Sequence, residues 1–191
     1  MNNEKSVFKC GAENGLIFGL YLSAIFFTCI YGNSSFMISF LGLVMFLAVP
    51  LVIFAFMRRY HVTYPETSTF SNLWTLGTAT YLFGSLICGI VTYIWLQYIT
   101  PDFIVNQAKM ALATYEQIPE FKNHEFTSML RKAISDKMLP SPIMIVFQLI
   151  WATLTAGVVT SLILAPLARI GKNNKQQQKH KILTLKWTYR L

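Results

Sequence analysis

Three stretches of this chain, residues 14–57, 67–101 and 138–168, contain no Asp, Glu, Lys, Arg or His. Nothing else in the sequence narrows the fold as much. A soluble chain carries about 25% charged residues spread over its surface. Here charged residues make up 13% and hydrophobic ones 54%, and the few charges are pushed to the margins of the apolar stretches. A water-soluble globule is thereby excluded. A helix needs roughly 20 mostly apolar residues to cross a bilayer. The first stretch holds two such lengths, divided by the turn-forming "YGNSS", and the others hold one each. The expected spans are residues 12–31, 36–57, 73–98 and 143–167. Hydrocarbon cannot satisfy backbone N–H and C=O groups, so the spans must be helical. The runs are long and continuous, without the ten-residue alternation of a membrane barrel strand.

A cleaved leader is the rival reading of the first span, but no small-residue cleavage site follows it. Orientation comes from Lys and Arg, which favour cytoplasmic loops. Lys5 and Lys9 precede the first span, Arg58 and Arg59 follow the second, and a basic tail follows the fourth. The loop over residues 99–142 instead mixes Lys109, Lys122, Arg131, Lys132 and Lys137 with acids. Both termini are therefore expected on the cytoplasmic side of the membrane. The chain divides into a membrane domain, residues 1–171, and a basic tail, residues 172–191.

At the end of the third span the sequence reads "YITPDFI". Thr100 suits an N-cap, Pro101 the first helical position and Asp102 the positive end of a helix dipole. Ile104, Ala108, Ala111, Tyr115 and Ile118 then recur at helical spacing up to Pro119. Phe126, Leu130, Ala133, Ile134 and Met138 repeat the pattern up to Pro140. The fold expected is all-α: a four-helix transmembrane bundle with two amphipathic helices in the extracytoplasmic loop between spans three and four. Those two helices either cover the outer ends of the bundle or form a dock or lid.

These features together resemble a known family. "TFSNLWTLG" leads into the third span, "YITPDFI" leaves it, and "TAGVVTSLILA" lies in the fourth. The pattern resembles the uncharacterised Bacteroidetes-type membrane family called domain of unknown function 4199, over roughly residues 7–171. The resemblance implies a four-span bacterial inner-membrane protein. It implies no activity and supplies no catalytic residues.

Small residues recur every four positions on three spans: Gly11, Gly15, Gly19 and Ser23; Ser85 and Gly89; Thr153, Gly157, Ser161 and Ala165. Lipid gives apolar side chains no gain from association, so close backbone approach must hold such helices together. The first, third and fourth spans are expected to meet along these faces, with a homodimer seam as the other use of such stripes. The second span lacks a stripe, and Pro50 is expected to kink it.

Chemistry-bearing residues are sparse. Glu13 lies about one turn into the first span and can pair with Lys9, Arg58 or Arg59. His61, His124 and His180 fall in separate segments, and no H-E-x-x-H, nucleophile elbow or phosphate loop occurs. Cys10, Cys29 and Cys88 are far apart, so neither a disulfide nor a metal framework is expected. No cofactor and no enzymatic activity are expected. In the tail, Lys181, Lys186, Trp187, Tyr189 and Arg190 suit an arm lying on anionic headgroups. Nucleic acid is not an expected partner, whereas lipid, a second copy or another protein is. The functional expectation is a structural, accessory or interaction component of the envelope; the alternative is part of a small-solute transporter or channel.

Overall fold

The computed structural model describes residues 6–32, 35–118, 125–136 and 138–170. Four long helices dominate: α1 (Val7–Tyr31), α2 (Phe36–Thr63), α3 (Phe70–Ile94) and α6 (Pro142–Ile170). Two short ones, α4 (Phe103–Gln117) and α5 (Glu125–Ser135), lie between α3 and α6. Among the described residues there is no strand. Counting a π-helical turn that carries α3 on to Ile99, the long helices span 25 to 30 residues. At about 1.5 Å per residue each exceeds the roughly 30 Å of a hydrocarbon core. All four are long and apolar enough to cross a membrane. Each overruns its expected span, because polar and charged end residues such as Lys9, Arg58, Arg59 and Arg169 remain helical beyond the apolar window.

Helix α3 is the centre of the bundle, with contacts to α1, α2 and α6. Protein encloses 56% of its apolar window, against 11–28% for the other three. The reason is that α3 carries small residues on two sides. Ala79 and Gly84 receive α1, and Gly77 and Gly89 receive α6. Phe18, Ile53, Met57, Leu73 and Leu76, all fully buried, fill the space toward the α2–α3 connection. Helices α6 and α2 are the least enclosed, at 11% and 17% of their windows; on α2, Phe36, Met37, Phe46, Leu47 and Leu51 are exposed.

The α2–α3 connection is set by local bonds. Helix α2 closes at Tyr64, whose N–H binds the Tyr60 carbonyl, and Pro65 cannot prolong it. The Thr69 hydroxyl caps α3 by accepting the Asn72 N–H at 3.3 Å. The Asn72 side chain donates to the Thr67 carbonyl at 2.6 Å. His61 Nδ1 meets the buried Ser68 hydroxyl across the same turn. Helix α2 remains helical through Pro50, and α6 through Pro166.

Candidate functional site

The close-packed seams are built from single residues. Gly11, Gly15 and Gly19 face the Cβ atoms of Ala79, Phe83 and Ile87 in turn. Both helices therefore advance four residues together, side by side and parallel. A Cβ added at these glycines would sit 2.5–2.7 Å from those partners. On the other side of α3 the order reverses: Gly77 meets Ser161, Tyr81 lies over Gly157, and Gly89 meets Ile150 and Val146. That pairing is antiparallel. Ser23, Ser85, Ser161 and Ala165 are buried, while Thr153 is half-buried.

Hydroxyls in these seams mostly bond back along their own helix: Ser23 to the Gly19 carbonyl at 2.8 Å, Ser85 to Leu82 at 2.9 Å and Thr80 to Leu76 at 2.8 Å. Backbone groups thus take the polar atoms that lipid cannot. The hydroxyls of Ser161 and Thr78 are buried with no hydrogen-bond partner among the described residues. Tyr21 donates to the Met45 carbonyl at 2.6 Å and Trp74 to the Val158 carbonyl at 3.4 Å, tying α1 to α2 and α3 to α6.

The α3–α4 junction departs from the sequence expectation. Thr100 does not cap a helix and Pro101 is not the first helical residue. Instead Trp95–Ile99 form a π-helical turn, closed by the Thr100 N–H on the Trp95 carbonyl at 3.0 Å. Thr100 has left the helical region, at φ −138° and ψ 70°, as expected for a residue before proline. Its hydroxyl is buried and unpartnered among the described residues. Pro101 and Asp102 make a turn, and α4 starts at Phe103, with Asp102 at the cap position but making no side-chain cap bond. The cause is the widened turn, which settles Trp95 among Phe26, Phe27 and Phe103 with ring centroids 5.1–6.3 Å apart.

Helices α4 and α5 pack on each other. Tyr115 and Phe126 meet edge to face at 5.5 Å, and Arg131 pairs with Glu116 at 2.5 Å. Thr127 is buried, whereas Met110, Phe126 and Met129 are more than half exposed. Where α4 begins, α5 ends and α6 begins, a cleft of about 470 Å³ opens. Its walls include Pro101, Ile104, Val105, Ile134 and Leu139, with Lys109 beside them.

Glu13, Lys9, Arg58 and Arg59 are all exposed, at the end of the bundle where α1 begins and α2 stops. Among the described residues no three His, Cys, Asp or Glu side chains come together, and no disulfide joins the cysteines. The tail residues Lys181, Lys186, Trp187, Tyr189 and Arg190 lie outside the described residues. So do Lys5, His124, His180, the whole "PEFKN" separator and two residues of the "YGNSS" turn.

Sequence reasoning missed three features. Gly77 and Tyr81 extend the α6-facing stripe of α3, but a tyrosine breaks the small-residue pattern that would have revealed it. Gly42, which receives Thr28 of α1, stands alone in α2. The π turn has no compositional signal beyond the aromatic residue at its start.

The fold defines a multi-pass membrane protein: four apolar helices joined by close backbone contact, with a helical hairpin outside the spans. Residues 13–169 match the family model described as "Protein of unknown function (DUF4199)", and the chain belongs to that family. No curated protein and no solved structure matches the chain significantly.

Proposed function

We propose that this is a bacterial inner-membrane protein with both termini cytoplasmic, serving as a structural, accessory or interaction component of the envelope. The single observation that carries the reading is the α4–α5 hairpin. Its two helices satisfy each other through Tyr115–Phe126 and Arg131–Glu116, yet Met110 and Met129 stay exposed at 57% and 58%. On this reading the two helices are amphipathic and present an apolar strip outside the spans. Exposed apolar strips rimmed by polar residues mark surfaces of interaction.

The bundle supports the same reading. Its charge-free middle is tied by glycine contacts and backbone-directed hydroxyls, a construction suited to holding a shape. A transport pathway calls for a polar route lined from several helices, and nothing on these seams favours one. The orientation rests on Lys9, Arg58, Arg59 and Arg169, which flank one end of the spans, while the hairpin mixes both signs of charge.

The test is a photoreactive amino acid placed at Met129 and, as a lipid-facing control, at Leu51 in native membranes. A discrete protein adduct of one mass from Met129, absent from Leu51, is the expected result. Absence of any protein adduct from Met129, together with solute flux through vesicles containing the purified chain, would overturn the reading in favour of transport.

A further inference from the structure

We propose that the end of the bundle where α1 and α3 begin and α2 and α6 stop gathers anionic phospholipid around itself. Lys9, Arg58, Arg59 and Arg169 hold headgroups beside the spans, and the tail after Ile170 binds the same leaflet. Neither part depends on the interaction role proposed above, or on which side of the membrane this end faces.

One core draws the four cations to a common end. Cys10 of α1, Met57 and Tyr60 of α2, Leu73 of α3 and Ala168 of α6 belong to a single packed cluster. Lys9 precedes Cys10, Arg58 and Arg59 lie between Met57 and Tyr60, and Arg169 follows Ala168. All four cations are exposed, and none is ion-paired with a described residue. Arg58 and Arg169 each follow directly on a charge-free stretch, residues 14–57 and 138–168. They therefore stand where acyl chains give way to headgroups.

The acids at this end do not balance them. Of the charged residues that the sequence places here, eleven are Lys or Arg and three, Glu4, Glu13 and Glu66, are acids. Eleven less three is the whole net charge of +8. The opposite end carries five Lys and Arg with five acids, and cancels. Orienting the spans needs only the cations beside them. Six more follow Ile170 without one acid, in a tail that also carries Leu183, Leu185, Trp187 and Tyr189. Positive charge beyond what orientation needs, mixed with interfacial aromatics, is the composition of a segment that binds an anionic leaflet.

A leaflet is the polyanion that this end already touches. Attraction to an anionic surface fades within a Debye length, about 10 Å in about 0.1 M salt. Cations that flank the spans lie inside that distance. The tail starts from the end of a span, so its meeting with the leaflet is intramolecular and costs little translational freedom. A nucleic acid would have to arrive from solution and approach a surface of its own sign. Zwitterionic lipid offers the same phosphate with its charge cancelled, so net headgroup charge is what this end selects.

The experiment uses the full chain reconstituted in phosphatidylcholine vesicles with a trace of spin-labelled lipid. Spin-labelled phosphatidylglycerol should associate with the protein about three-fold more strongly than spin-labelled phosphatidylcholine, the effect of a few partly solvated charges. Molar salt should bring the two near parity. Joint replacement of Lys9, Arg58, Arg59 and Arg169 by Gln should remove most of the preference, whereas Lys109→Gln with Lys132→Gln should keep most of it. Helicity and monodispersity are checked beforehand, and the salt titration of the parent chain decides the matter should the fourfold variant misfold. For the tail, Thr188→Cys carries an environment-sensitive dye, with Cys10, Cys29 and Cys88 replaced by Ala. Its emission should shift to the blue in vesicles rich in phosphatidylglycerol and not in phosphatidylcholine alone. Equal association of the two lipids, a preference untouched by salt or by the fourfold variant, or a dye that responds to a single-stranded oligonucleotide but not to phosphatidylglycerol would each overturn the proposal.

Discussion

At the scale of single residues, Gly15 is the most exacting position. A methyl group there would meet Phe83 Cβ at 2.5 Å, with the Gly84 nitrogen and the Thr80 carbonyl oxygen each at 3.3 Å. Two of those three neighbours are backbone and cannot rotate away, so α1 and α3 must separate. Gly15→Ala is expected to destabilise the bundle by about 1–3 kcal/mol, the usual cost of overfilling a packed site. Leu16→Ala, one residue along and 55% exposed, should change stability by less than about 0.5 kcal/mol. Steric-trap unfolding in bicelles separates the two, and equal effects would count against the α1–α3 seam. Tyr21→Phe removes only the hydroxyl that reaches the Met45 carbonyl at 2.6 Å. Its expected cost is about 0.6–1.7 kcal/mol, the range of interhelical hydrogen bonds in lipid. The same measurement reads it, and a loss far above that range would mean that the ring itself shifts.

At the scale of elements, the π turn and the hairpin behave differently. Trp95 is buried against three phenylalanine rings, so Trp95→Ala leaves a hole at the point where the chain leaves α3. A loss of about 3–5 kcal/mol is expected, as for other buried aromatics. Faster protease cleavage within the α4–α5 segment should accompany it; unchanged cleavage would show that the hairpin is held independently of the turn. The Arg131–Glu116 pair is exposed at 58% and 37%. Its coupling in a double-mutant cycle is expected below about 1 kcal/mol and should shrink with added salt. A larger, salt-insensitive coupling would mean that something shields the pair. Much at this scale was legible beforehand. Charge-free windows marked the four long helices, and the periodic apolar residues after Pro101 and after Glu125 marked the two short ones. The junction was not legible. Thr-Pro-Asp is a good helix start by local chemistry, but Trp95 wins by widening the last turn of α3 to reach its ring partners. Tertiary contact overrode local capping there, and a single sequence carries no record of such contacts.

At the scale of the whole molecule, the spacing of Gly11, Gly15 and Gly19 was visible in the sequence, but the identity of their partners was not. The α3 face opposite them mixes Ala79, Phe83 and Ile87 with Gly84, which lies against the backbone of Gly15 and Gly19, so large and small residues meet the same stripe. Small-residue spacing alone therefore nominates a surface without naming what lies against it. The proposed orientation has its own test. Glu66, in the α2–α3 connection, and Ser128, on α5, are both exposed at opposite ends of the bundle. With Cys10, Cys29 and Cys88 replaced by Ala, Ser128→Cys should react with a membrane-impermeant maleimide added to intact spheroplasts. Glu66→Cys should react only after lysis. The reverse pattern would invert the topology.

The parallel register of α1 and α3 has a consequence for synthesis. Sequence neighbours α1 and α2 meet through a few points such as Gly42 against Thr28, whereas the main mate of α1 emerges a full hairpin later. Until the ribosome has released residues near Ile87, the first helix waits in the bilayer with its glycine groove filled only by acyl tails. Nascent chains halted before that length should therefore be held loosely, open to capture by an insertase or a quality-control protease, and should become resistant in one step when the third helix arrives.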